Sequence, residues 1–132
     1  MITRKALTLA DAQAIAAAAE AEAKKNSWAV SIAIVDDGGH LLHFQRMDGV
    51  HLLSATIAPG KAKTAAWGRR PSKAFEDIVT GRLPFLAVEG ITPLEGAEPI
   101  MVDGICIGAV GVSGVRSDQD AQIARAGIAA LG

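Results

Sequence analysis

Apolar residues recur at helical spacing in the first long segment of the chain. Five of them fall on one helical face: Leu9, Ala12, Ile15, Ala16 and Ala19. The segment starts after Thr8, which has Asp11 three positions later, a spacing typical of an N-terminal capping box. The pattern therefore predicts an amphipathic helix over residues 9–25.

Two pairs of β-prone runs predict two hairpins. The first pair, 28–35 and 40–47, is joined by the turn sequence Asp36-Asp37-Gly38-Gly39. The second pair, 98–102 and 105–113, flanks Asp103-Gly104, a dipeptide favoured in type I′ turns. Both connections are short, so we expect each pair of strands to run antiparallel.

Further helices are predicted between and after the hairpins, at 54–67, at 72–80, and from a cap at 117–120 to Leu131. Residues 83–93 lack a regular pattern. The order helix, hairpin, helices, hairpin, helix predicts an α/β (α+β) fold, in which one antiparallel sheet of two hairpins carries helices packed on it. A chain of 132 residues fits a single domain, 1–132.

Composition narrows the classes of function. The 13 basic and 14 acidic residues balance, which argues against binding to nucleic acid. No apolar run approaches the roughly 20 residues needed to cross a bilayer, and no signal peptide is evident. Cys106 is the only cysteine, so no intrachain disulfide can form, and we expect a cytoplasmic protein. Because Cys106 lies in the apolar strand 105–113, we expect it to be an inert core thiol. The edge strands of so small a sheet need cover, which predicts a homo-oligomer, a dimer or larger.

Several motifs, in this order and spacing, carry a resemblance to a known family. They are 35–41 (VDDGGHL), 46–48 (RMD), 60–65 (GKAKTA), and 102–104 (VDG) leading into the glycine-rich run 108–114. The chain resembles the GlcG/HbpS family of haem-degrading-like domains, which also form the C-terminal domain of PduO-type proteins. The resemblance implies a profilin-like fold, dimers or larger assemblies, and haem or corrinoid-linked roles in some members.

The three histidines are His40, His43 and His51. Side chains alternate between the faces of a strand, so His40 and His43 are not expected to share one site unless the turn twists His40 out of register. Zinc-type spacing and the Cys-x-x-Cys-His motif of haem attachment are both missing from the sequence. A single imidazole is enough for haem iron. We expect His40, with His43 as second choice, to be the axial ligand or a base; alternatively, His40 only caps the hairpin and His43 is half exposed.

Lys61 and Thr64 are candidate anion-binding residues. We expect the helix to restart after Pro59-Gly60, which would place both side chains beside free N–H groups that suit a carboxylate or a haem propionate. The alternative is a structural salt bridge from Lys61 to Asp48. A solvated helix face explains the neighbouring Lys63.

The remaining candidates are Arg46, Asp48, Gly108 and Gly111. Arg46 either holds a ligand carboxylate or pairs with Asp48. Gly108 and Gly111 do not have the spacing of a phosphate-binding loop, so we expect them to admit a helix or a ligand close to the strand. The predicted pocket lies where the turn at 60–61 faces Arg46 and the strand 108–114.

Three functions remain open. The first is a binding module for a small molecule, namely haem, a related tetrapyrrole or a small organic acid. The second is a cofactor-independent enzyme that moves protons on a small carboxylated substrate, using Lys61, Arg46 and either His40 or Glu98. The alternative for Glu98 is an exposed position at a sheet edge. The third is a regulatory or structural partner of another protein, with no ligand.

Overall fold

Helices and strands follow the predicted order through residues 1–131, the part of the chain that this computed structural model describes. The helices are α1 (Leu9–Lys25), α2 (Ser54–Gly68), α3 (Ser72–Gly81) and α4 (Ser117–Ile128), and the strands are β1 (Ser31–Asp36), β2 (Leu41–Arg46), β3 (Ala97–Val102) and β4 (Ile105–Ser113). Short 3₁₀ helices occur at Leu83–Ala87, where no regular structure was expected, and at Ala129–Leu131. No helix among residues 1–131 combines the length and the apolar character needed to cross a membrane.

The two hairpins form one antiparallel sheet in the order β2-β1-β4-β3, which confirms the predicted fold class. At the second turn both Asp103 and Gly104 have positive φ, 52° and 76°, as a type I′ turn requires. The central strands β1 and β4 are almost completely buried, whereas β2 and β3 form the edges. The predicted capping box of α1 is also present, because Thr8 and Asp11 exchange hydrogen bonds.

Helices cover the two faces of the sheet unequally. Ile32 and Ile34 of β1 belong to a large aliphatic core that includes α1 and α4. Ala33 and Val35, on the opposite face, belong to a second core that consists mostly of alanines and includes α2. Small side chains on this second face allow the α2 backbone to approach the sheet closely.

Gly111 is the closest point of that approach. It lies in β4 beside Ala33 of β1 and Ala97 of β3, so that a row of small residues crosses the sheet under α2. A Cβ atom at Gly111 would overlap the carbonyl oxygen of Ala58 and would lie 2.8 Å from the Cβ of Ala62. Gly111 was predicted to admit either a helix or a ligand close to the strand, and the structure places the helix α2 there.

The predicted restart of the helix after Pro59 is wrong, because Ser54–Gly68 is one continuous α-helix. Proline has no N–H, so the helix lacks one backbone hydrogen bond at that position, yet it continues to Gly68. Lys61 therefore lies in the middle of α2 and not beside free N–H groups.

Cys106 lies in β4 under the end of α2. Its side chain is buried, and Sγ is 3.3 Å from the carbonyl oxygen of Gly108 and 3.8 Å from that of Ala66. This burial agrees with the expectation of a core thiol.

We predict that Gly111→Ala lowers the free energy of unfolding by about 1–3 kcal/mol, because the added methyl group must push α2 away from β4. Gly81→Ala is the matched control, since a Cβ at Gly81 has no neighbour within 4 Å and alanine favours the helix. Urea denaturation measures both variants. Equal stability of the two would contradict the proposed packing role of Gly111.

Candidate functional site

Lys61 makes a buried ion pair with Asp120. Its Nζ donates hydrogen bonds to Asp120 Oδ2 at 3.1 Å and to the carbonyl oxygen of Val112 at 3.0 Å, and both charged side chains are 3% exposed. The other oxygen of Asp120 accepts a hydrogen bond from the N–H of Val115. Burial raises the pKa of the Asp120 carboxyl, and the Lys61 ammonium opposes that effect. Of the two roles predicted for Lys61, the structure therefore shows the structural salt bridge, with Asp120 and not Asp48 as the partner.

The ion pair reaches around the edge of the sheet. Lys61 comes from α2 on one face, Asp120 from α4 on the other, and the contact passes beside Gly96 just before β3. A Cβ at Gly96 would lie 2.5 Å from Lys61 Nζ and 3.0 Å from the Cβ of Asp120, so the pair needs glycine there.

The predicted pocket of Lys61, Arg46 and the glycine-rich strand does not form. Arg46 and Asp48 lie at the end of β2 beside Glu20 and Lys24 of α1, around a shallow cavity of about 340 Å³. No ion pair joins Arg46 to Asp48 among the residues that the structure describes. Lys61, in contrast, is enclosed by α2, β4 and α4.

Two further candidates have packing roles. The Thr64 hydroxyl donates to the carbonyl oxygen of Gly60 at 2.8 Å and accepts from the N–H of Thr92 at 2.7 Å, which anchors the loop before β3 to α2. A Cβ at Gly108 would overlap the carbonyl oxygen of Val35 and would lie 2.6 Å from Leu7. Gly108 thus admits the neighbouring strand and the N-terminal segment.

Glu98 and His40 lie at opposite edges of the sheet. Glu98 is in β3, where Arg125 Nη1 donates to its Oε1 at 3.1 Å, and its side chain is 15% exposed. Burial raises the pKa of Glu98, while Arg125 acts in the opposite direction. His40 precedes β2 at the other edge, so these two alternative residues for proton transfer lie at separate places on the sheet.

The structure instead forms a cavity beside the first hairpin, which we call the hairpin pocket. Its volume is about 500 Å³. It is lined by Val35, Gly39 and Leu41 of the hairpin, by Thr56, Pro59, Gly60 and Lys63 of α2, and by Gly90, Ile91 and Thr92 of the following loop. The α2 residues recur at helical spacing, which is the signal in the sequence that could have revealed this face.

His40 is not itself a lining residue of the hairpin pocket, but its two sequence neighbours, Gly39 and Leu41, are. Its Nδ1 is 3.3 Å from Asp36 Oδ1, and its side chain is 82% exposed. Burial raises the pKa of Asp36, but hydrogen bonds from the N–H groups of His40 and Gly38 and the nearby imidazole outweigh this effect, so the net pKa is lowered. A carboxylate on one imidazole nitrogen orients the ring and leaves Nε2 available to a metal.

His43 pairs with Ile34 on the side of the sheet that α1 covers, next to a β-bulge that interrupts the alternation between Leu41 and His43. Its Nε2 is 2.9 Å from Gln45 Oε1, and Gln45 in turn donates to Glu20 of α1 at 2.7 Å. His51 is exposed in the loop before α2. Within residues 1–131, no three His, Cys, Asp or Glu side chains are placed to hold a metal ion together.

Comparison with known proteins identifies the family. The family model described as "Haem degrading protein HbpS-like" matches residues 7–129. The chain belongs to the HbpS-like family. Protein GlcG of Escherichia coli (strain K12) is 51% identical to it over 114 residues, which cover 86% of this chain and 85% of GlcG.

Solved HbpS-like structures share the whole fold. A double mutant of Streptomyces reticuli HbpS matches 100% of this chain and 91% of its own, with a TM-score of 0.93 and 33% identity. The PduOC:heme complex matches 96% of this chain and 95% of its own, with a TM-score of 0.87 and 31% identity. The resemblance drawn from the sequence motifs is thereby confirmed.

Two of those motifs meet at the hairpin pocket of this HbpS-like chain. Residues 35–41 form the first hairpin turn, and residues 60–65 form the middle of α2. Val35, Gly39 and Leu41 from the first motif, with Gly60 and Lys63 from the second, line the cavity. The hairpin pocket is therefore the candidate functional site.

We predict that Asp120→Ala lowers the free energy of unfolding by about 3–5 kcal/mol, because it leaves the buried Lys61 ammonium without its partner. The double variant Lys61→Met/Asp120→Leu removes both charges, so its free energy of unfolding is expected to fall less than that of Asp120→Ala. Urea denaturation of these proteins measures the difference. If Asp120→Ala lowers the free energy of unfolding by less than about 1 kcal/mol, the prediction is wrong, because a loss that small is typical of a solvent-exposed pair.

Proposed function

We propose that this HbpS-like chain is a ligand-binding domain whose hairpin pocket takes haem or a related tetrapyrrole. The observation that carries the proposal is the close match to the PduOC:heme complex, at a TM-score of 0.87 and 31% identity across 96% of the chain. A fold retained at this level supports a shared class of ligand.

The donor set around the hairpin pocket suits a haem group. Haem iron needs one axial imidazole and an apolar surrounding. His40, between the lining residues Gly39 and Leu41, offers the imidazole, and Asp36 orients its ring. Leu41, Pro59 and Ile91 provide apolar contact for the face of a macrocycle. A bound haem would supply redox chemistry at its iron, while the protein binds the macrocycle and orients it.

His40 is the first choice for the axial ligand because of its position. Its neighbours in sequence line the cavity, whereas His43 is on the opposite face and is hydrogen-bonded to Gln45. The second choice, His43, would need the β2 edge strand to turn over. His40 in the free protein keeps Nε2 unbound by any group of residues 1–131.

We predict that titration with hemin gives a Soret band that depends on His40. Loss of outer-shell partners alone costs metal sites about 10–100-fold in affinity, so His40→Ala is expected to weaken binding at least about ten-fold and to shift the band. His43→Ala and His51→Ala are the matched controls and are expected to leave both unchanged. A wild-type protein that does not bind hemin would contradict the proposed ligand, and a band insensitive to His40→Ala would contradict the axial assignment.

We also propose that the chain forms a homo-oligomer, a dimer or larger. The β2 edge strand exposes Leu41 and Phe44, and the segment before α2 exposes Leu52 and Leu53. Exposed apolar side chains beside an unpaired strand edge support burial against a second copy.

Light scattering at micromolar concentration is predicted to give at least twice the chain mass of 13.6 kDa. Phe44→Lys is expected to lower the mass toward that of one chain, because it puts a charge on the proposed contact. Leu86→Asp, on the exposed 3₁₀ helix, is the control and is expected to leave the mass unchanged. A monomeric wild-type protein would contradict the proposal.

A further inference from the structure

Lys63 is a half-buried cation without a counter-charge. It lines the hairpin pocket, and no carboxylate among residues 1–131 lies within ion-pair distance of its ammonium. Other lysines of the chain have such partners: Lys61 pairs with Asp120, and Lys73 pairs with Glu76 and Asp77. The nearest favourable partner of the Lys63 ammonium is the ring of Trp67, at 4.9 Å from the ring centre.

The backbone on both sides holds Lys63 and Trp67 in place. Trp67 Nε1 donates a hydrogen bond of 2.8 Å to the carbonyl oxygen of Gly38. A Cβ at Gly39 would lie 2.7 Å from Lys63 Cγ and 2.8 Å from Trp67 Nε1, and one at Gly90 would lie 3.2 Å from the Trp67 ring. Both glycines have positive φ, 84° and 83°. The hairpin turn and the loop therefore enclose this lysine–tryptophan pair from two directions.

This arrangement positions the Lys63 ammonium before any ligand arrives. A cation partly removed from water is destabilised unless an anion replaces the lost hydration. A side chain already fixed in place loses little freedom when it binds that anion. The ammonium lies over the tryptophan ring, and Lys63 lines the cavity, so a ligand in the cavity can supply the missing negative charge.

We propose that Lys63 recognises a carboxylate of the ligand and makes the hairpin pocket selective for acidic tetrapyrroles over their uncharged esters. The proposal rests on the tetrapyrrole-binding function proposed above and adds the group that the site recognises. The Lys63 ammonium donates a charge-assisted hydrogen bond to the carboxylate, and no covalent step is involved.

The test uses protoporphyrin IX and its dimethyl ester, which differ only in the two carboxylates. Trp28→Phe leaves Trp67 as the single tryptophan, so that quenching of its fluorescence reports binding beside Lys63. The diacid is expected to bind at least about ten-fold more tightly than the diester, the difference that one charge-assisted hydrogen bond gives. Lys63→Met is expected to remove this preference by weakening the diacid alone.

Two matched variants separate recognition from folding. Lys63→Arg keeps a cation at the site and is expected to retain the preference for the diacid. Lys73→Met removes an exposed lysine elsewhere and is expected to change neither affinity. Thermal unfolding of each variant confirms that the proteins compared are folded.

Each outcome decides between the proposals. Equal binding of the diacid and the diester, or a preference that survives Lys63→Met, would overturn the role of Lys63 and leave the tetrapyrrole proposal standing. If neither porphyrin binds, the tetrapyrrole proposal is wrong. In that case thermal stabilisation by benzoate that disappears in Lys63→Met would support carboxylate recognition of a smaller ligand, and no stabilisation would overturn it.

Discussion

The ion pair between Lys61 and Asp120 is the constraint on which the candidate site depends. It joins helices on opposite faces of the sheet and excludes water almost completely, so breaking it would leave a charge in the core. It also fixes the rotation of α2 about its own axis. With Lys61 directed toward α4, the alanines of α2 face the sheet and Lys63 faces the first hairpin.

Close packing of α2 on the sheet sets the depth of the hairpin pocket. Gly111 and the alanines around it let the helix backbone rest nearly on β4, which brings the helix face carrying Pro59 and Lys63 level with the hairpin turn. One helix thus serves three purposes at once: it covers the second core, supplies half of the buried ion pair, and forms a wall of the cavity. Each purpose uses a different set of positions around its circumference.

Local signals predicted the elements well because capping boxes, turn dipeptides and helical periodicity are properties of neighbouring residues. The face of His43 was less predictable, because a β-bulge between Leu41 and His43 interrupts the alternation along β2. The roles of Lys61 and Lys63 were not predictable from local signals. Lys61 and Lys63 are two residues apart, so their side chains point in directions roughly 200° apart around the helix axis. Which of the two faces the core depends on Asp120, which is far away in sequence. Likewise, the distance between Glu98 and His40 depends on the order of strands in the sheet.

The buried position of Cys106 has a practical consequence. It is the single thiol of the chain, and it lies between β4 and the end of α2, where the helix rests on the sheet. Its side chain is 6% exposed and lines a cavity of about 450 Å³ beside Ala66 and Trp67, so a thiol reagent reaches it through that cavity. The rate of alkylation therefore reports how open this cavity is, at the end of the helix that also lines the hairpin pocket.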